Sequence, residues 1–128
     1  MILIDTSVVI DYARGKDAKL QSLLPTLPVA ICGITRAEVL HGARDPAHRA
    51  RLLTLLATFG QVAIADSLWD SVGDNLALLR NKGVTVPFQD VVIAGVALAH
   101  NCDLWTRDAQ FSFIQTVLPA LTLFQEPP

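Results

Sequence analysis

Four acids in this chain stand where carboxylates can do chemistry. Asp5 closes the apolar run Met-Ile-Leu-Ile, and Asp108 follows Leu-Trp-Thr-Arg. Asp90 opens a long apolar stretch. Glu38 lies among Ile34, Ala37, Val39 and Leu40, an expensive place for a charge without a partner. An acid that ends a short buried strand arrives at the carboxyl edge of a parallel sheet, where such folds bind ligands. Asp5 and Asp108 reach that edge independently, and Asp90, at a helix N-terminus, can point to the same mouth. Four carboxylates in one place repel one another, and some take up protons unless a cation neutralises them. Oxygen donors with no cysteine or histidine among them select Mg²⁺ or Mn²⁺ over zinc. Such a cation polarises a phosphodiester and generates hydroxide from water, so no side-chain nucleophile is required. Singly, each acid has a plainer reading: Asp5 and Asp90 as N-caps, Asp108 as a turn acid, Glu38 as a solvated helix residue. Together, however, three of them reach one end of one sheet, and that convergence marks a site.

The elements that must position them alternate between two periodicities. Residues 1–4 read as a buried strand, and Asp5, Thr6 and Ser7 are good caps for a helix with Val8, Val9 and Tyr12 on its apolar face, ended by Gly15. Residues 18–24 form a second helix stopped by Pro25, and 29–32 a second strand. A helix over 34–43 turns Ile34, Ala37, Val39 and Leu40 inward. Asp45-Pro46 is a cap with proline at the first helical position, opening a helix through Phe59. Residues 61–65 are a third strand candidate. Asp66 or Ser67 caps a helix with Leu68, Val72, Leu76 and Leu79 on one stripe, ending near Gly83. Residues 88–100 are apolar nearly all round, hence a buried helix. Residues 104–106 are a strand, and 121–124 a last edge strand. The alternation predicts an α/β fold, a three-layer α/β/α sandwich around a short parallel sheet.

At 128 residues the chain makes one domain, residues 1–128. Charged residues are 17% and hydrophobic ones 52%, which excludes disorder and exceeds what a small core absorbs. Some apolar surface is therefore expected at an interface. No apolar run approaches the roughly 20 residues that a bilayer needs, and the start lacks the basic residues of a secretory leader. Cys32 and Cys102 have neither zinc nor CxxC spacing and read as reduced residues of a cytoplasmic protein. The net charge of −2 is poor for binding nucleic acid. With four of the twelve acids assigned to a metal, however, ten basic residues face eight acidic ones. Charge decides nothing here.

The blocks Ile-Leu-Ile-Asp-Thr-Ser-Val-Val-Ile-Asp, Ile-Thr-Arg-Ala-Glu-Val-Leu-His-Gly, Phe-Gln-Asp-Val-Val-Ile-Ala and Leu-Trp-Thr-Arg-Asp-Ala-Gln-Phe, in this order and spacing, resemble the four motif blocks of PIN-domain toxins of the VapC type. The resemblance spans essentially the whole chain. It implies a PIN-like fold and a Mg²⁺- or Mn²⁺-dependent endoribonuclease that hydrolyses RNA, held inactive by a cognate antitoxin and assembling as a homodimer. By motif position it places the acidic quartet on Asp5, Glu38, Asp90 and Asp108, with the metal on Asp5, Asp90 and Asp108. Thr6 and Thr106 become candidates for orienting a carboxylate or a water. Arg107, between Thr106 and Asp108, is a candidate phosphate contact.

Other residues are weaker candidates. His41, His48 and His100 share no ligand spacing, and Asp66, Asp70 and Asp74 fit the outer face of one helix. Trp69 and Trp105 suit packing. Arg44, Arg49 and Arg51 form a basic patch that would serve an RNA backbone or merely a solvated helix face. An aspartyl phosphatase of the haloacid-dehalogenase kind would carry a second Asp two residues after the first, where this chain has Ser7. A catalytically degenerate PIN fold that only binds RNA or protein is the remaining alternative.

Overall fold

In a computed structural model describing residues 1–128, four short strands form one wholly parallel sheet. They are β1 (Ile2–Ile4), β2 (Val29–Cys32), β3 (Gly60–Val62) and β4 (Asp103–Trp105), in the order β3-β2-β1-β4. Helices α1 (Thr6–Arg14) and α2 (Ala18–Leu23), with a 3₁₀ turn at Leu24–Thr26, join β1 to β2. Helices α3 (Gly33–His41) and α4 (Pro46–Leu56) lead to β3, while α5 (Leu68–Asn81) and α6 (Phe88–Ala99) carry the chain back across to β4. Helix α7 (Gln110–Val117) follows. The order reverses between β1 and β4, which is where an open parallel sheet leaves its crevice. Ile4 pairs with Trp105, so Asp5 and Thr106 leave the sheet side by side, and the Asp5 N–H donates to the Trp105 carbonyl (3.1 Å).

Alternate strand residues supply the two cores. Leu3, Ala30, Cys32, Val62 and Leu104 pack with Val72, Leu79, Ile93, Phe111 and Ile114 of α5, α6 and α7. Ile4, Ile31 and Trp105 face the other way, onto Val8, Val9, Leu20, Leu52 and Leu56. The expected three layers are therefore present. Residues 91–97 of α6 are buried without a break, which anchors the helix whose first turn carries Asp90. Helix α1 ends where Gly15 takes the left-handed conformation (φ 68°), a region open to glycine at little steric cost. No helix is long and apolar enough to cross a membrane.

Several boundaries differ from those expected, each for a local reason. Helix α4 stops at Leu56, and Phe59 packs into the core from the turn beyond it. In α3 the inward positions are Thr35 and Val39, while Ala37 is exposed. Residues 121–124 do not make a fifth strand. They meet β4 through one parallel bridge, Leu104 to Leu123, in which the Leu104 N–H donates to the Thr122 carbonyl (2.9 Å) and the Phe124 N–H to the Leu104 carbonyl (2.8 Å). Leu121 packs into one core, and Phe124 packs tilted on Trp105 in the other (4.7 Å). Helix α7 was not expected, although Phe111, Ile114 and Leu118 carry its i, i+3, i+7 spacing and are all buried. Both cysteines are free, Cys32 buried and Cys102 half-buried.

If α6 is the anchor of the Asp90 turn, shortening Ile93, 1% exposed, opens a cavity beneath it. Ile93→Ala is expected to cost about 2–5 kcal/mol in urea denaturation. A loss under about 1 kcal/mol would show that the helix is not held by this packing.

Candidate active site

Asp5 is placed by its own backbone. As N-cap of α1 it sits in extended conformation, and its Oδ1 accepts from the Val8 N–H (3.2 Å) and the Ser7 hydroxyl (2.6 Å). Its Oδ2 accepts from the Thr106 hydroxyl (2.5 Å), so β1 and β4 are laced together at their carboxyl ends. Asp5 is 3% exposed. Burial raises its pKa; the bonds from Ser7, Thr106 and Val8 oppose this, and the Asp108 charge adds to the rise. Each carboxylate oxygen offers about two lone pairs, and Oδ2 accepts only one bond. Asp5 can therefore act as cap and ligand at once.

The other acids arrive on three separate elements. Thr6, first residue of α1, donates to Glu38 Oε1 on α3 (2.8 Å). Asp108 Oδ1 accepts from the Gln110 N–H (3.0 Å), and the Asp108 N–H donates to Thr106 Oγ1 (2.9 Å). Asp90, 8% exposed in the first turn of α6, accepts no hydrogen bond from any side chain or loop amide. Burial, then the charges of Asp108, Glu38 and Asp5, push its pKa up to about 6. The four predicted acids thus lie in one another's field, and the ion pairs of the chain involve none of them.

No three His, Cys, Asp or Glu side chains are drawn tightly enough around one point to ligate an ion as they stand. The donor chemistry nevertheless fits a hard divalent cation. Every donor is a carboxylate oxygen, and Asp90 holds a buried carboxyl with open acceptor sites.

Arg107 departs from the role expected of it. Its guanidinium is not a free cation for phosphate, because Asp11 (3.0 Å), Asp17 (2.9 Å) and Glu126 (2.7 Å) already hold it. Sequence reasoning also missed Ser7 as part of the site. Ser7 donates to Asp5 and accepts the Arg107 N–H (2.9 Å). The available signal was the Asp-Thr-Ser run, in which a hydroxyl two residues after an N-cap acid can turn back onto it. The histidines stay apart, with His41 and His100 exposed and His48 Nδ1 accepting from the Arg44 N–H (3.0 Å).

The raised pKa of Asp90 has a consequence for the metal-free protein. The unfolded chain gives up this proton near the ordinary value of 3.8 and the folded chain near 6. The folded state therefore binds more protons in between, and stability falls as pH rises from about 4 to about 6. Asp90→Asn removes that slope. It is expected to make the metal-free protein about 1–2 kcal/mol more stable than wild type at pH 7, allowing for solvent screening, and no more stable below pH 4. Urea melts at the two pH values test this, and an Asn variant less stable at pH 7 would contradict it.

A profile of the PIN domain matches residues 2–115. Ribonuclease VapC11 of Mycobacterium tuberculosis is 28% identical over 125 residues, covering 91% of this chain and 93% of that protein. Among solved structures, VapBC-1 from nontypeable Haemophilus influenzae superposes with a TM-score of 0.81 at 21% identity, covering 98% of each chain. DNA-bound VapBC from Salmonella typhimurium gives 0.81 at 21%, covering 96% of each. The profile spans the sheet and all four acids, and the chain belongs to the PIN-domain family.

Proposed function

We propose that the chain is a metal-dependent endoribonuclease that hydrolyses RNA phosphodiester bonds and acts in the cytoplasm as the toxin of a toxin–antitoxin pair. The observation that carries this reading is the Asp90 carboxyl, raised to about 6 by burial and by three other acids delivered from three other elements. A fold has little reason to gather four uncompensated anions except to hold a cation. The relative named as a VapC ribonuclease supports the activity, and the neighbours solved as VapBC pairs support the partner.

Asp5, Asp90 and Asp108 would hold one Mg²⁺ or Mn²⁺, which when bound polarises the phosphate and lowers the pKa of water. The chain's own residues prepare that event. Ser7 and Thr106 fix the rotamer of Asp5 from both sides. Thr6 holds Glu38 by Oε1 and leaves Oε2 free to accept a proton from the attacking water. Trp69, Leu78, Phe88 and Phe113 expose large apolar surface, which a cognate antitoxin and a second copy of the chain would cover.

Asp5→Asn, Glu38→Gln, Asp90→Asn and Asp108→Asn are each expected to slow cleavage of single-stranded RNA roughly 100-fold or more. Wild-type cleavage in Mn²⁺ is expected to stop with EDTA. Near-wild-type turnover of Asp90→Asn at saturating Mn²⁺ would remove that residue from the site. EDTA-resistant cleavage would remove the metal, and no cleavage at all would leave a PIN fold that only binds.

Metal should also stabilise the fold. At ten times its Kd, Mn²⁺ is expected to raise the wild-type melting temperature by roughly 3–6 °C, and that of Asp90→Asn by much less. Equal shifts in the two proteins would contradict the assignment.

A further inference from the structure

Arg107 lies between two residues of the site, yet its guanidinium reaches none of the four site carboxylates. It donates through Nη1 to Asp11 on α1 (3.0 Å) and through Nε and Nη2 to both oxygens of Glu126 in the C-terminal segment (2.9 and 2.7 Å). Nη2 also meets Asp17, the N-cap of α2, at 2.9 Å. The side chain is only 24% exposed. The three anions hold the guanidinium charged, and its charge in turn keeps the Asp17 and Glu126 carboxyls below their ordinary values, after the Leu20 N–H in the case of Asp17. One cation thus ties three separate stretches of chain together.

The backbone of the same residue faces the site. Its N–H donates to Ser7 Oγ, which donates to Asp5. On either side, Thr106 donates to Asp5, and the Asp108 N–H donates to Thr106. Residues 106–109 lie between β4 and α7, outside any strand ladder, so the geometry of this turn depends on side-chain ties. A planar guanidinium gripped at both edges supplies such a tie, and a point charge does so less well.

We propose that Arg107 is a positioning residue: its grip on Asp11, Asp17 and Glu126 holds the 106–108 turn so that Thr106 and Asp108 face Asp5. This rests on reading the four acids as the catalytic centre. Arg107 acts through the turn and touches no substrate. Its removal leaves three carboxylates facing one another without a counter-charge, which drives the α1, α2 and C-terminal segments apart and frees the turn.

The test compares Arg107→Ala, Arg107→Lys and Glu126→Gln in the full chain, by steady-state cleavage of single-stranded RNA in Mn²⁺ and by amide hydrogen exchange. Arg107→Ala is expected to lower kcat at least tenfold with KM within twofold, and to speed exchange at Arg107 and Asp108 at least tenfold, with Leu3 and Ile4 unchanged. Arg107→Lys should fall between Ala and wild type, and Glu126→Gln should show a smaller change of the same kind. A raised KM with kcat retained and a shallower salt dependence would make Arg107 a phosphate contact and overturn the proposal. Unchanged exchange at 107 and 108 would overturn it as well. If Arg107→Ala fails to fold, exchange in Glu126→Gln and Asp17→Asn decides. Absence of cleavage by wild type would sink the ribonuclease reading, while exchange would still judge the tie.

Discussion

Like-charge repulsion at the carboxyl edge of the sheet is the constraint to which the rest of this molecule answers. Two carboxylates about 5 Å apart repel by about 3 kcal/mol where the effective dielectric constant is near 20. Four of them meet here without a lysine or arginine among them. The protein answers with neutral donors: the hydroxyls of Ser7 and Thr106 on Asp5, that of Thr6 on Glu38, and the Val8 N–H at the start of α1. These donors leave Asp90 alone. The N-terminal end of α6 favours its charge, but by less than burial and its neighbours oppose it. The residual strain sits in one carboxyl, which accepts no hydrogen bond from any side chain or loop amide.

Holding a strained site requires a frame that does not relax, and the two cores provide it. The sheet is three to four residues long in every strand, so its own ladder is brief. Rigidity comes from burial on both faces, with Trp105 under one layer and residues 91–97 under the other. Each acid is attached to a buried element within two residues: Asp5 to Ile4, Glu38 to Val39, Asp90 to Val91. Asp108 is the exception, three residues beyond Trp105 and exposed. The Arg107 network lies beside the one acid that core packing does not hold.

Most of the frame was legible in the sequence because apolar periodicity is a short-range signal. The β1 run, the Asp5 cap, the Gly15 stop and the all-round apolar α6 need only their own residues to be read. Residues 121–124 do alternate between the two cores as a strand would, but only one bridge to β4 forms, and how far a ladder extends is set by the partner strand and not by the segment's own residues. Helix α7 went unread although its spacing was present. At the site, the sequence carried residue types but not partners. Nothing local to Arg107 announces Asp11, Asp17 and Glu126, which lie 96, 90 and 19 positions away, so an arginine at the mouth read as a phosphate contact. The family profile adds the fold and leaves the roles of individual residues to geometry.

The most direct test of this account is the titration of the Asp90 carboxyl followed by carbon-detected NMR, with and without Mg²⁺. Without metal the carboxyl is expected to titrate near 6, and to move toward the ordinary carboxylate value when Asp108 is replaced by Asn. Millimolar Mg²⁺ should carry it below that value, because a bound dication stabilises the charged form. A titration near 4 that responds neither to Asp108→Asn nor to Mg²⁺ would mean that the four acids do not form one electrostatic site.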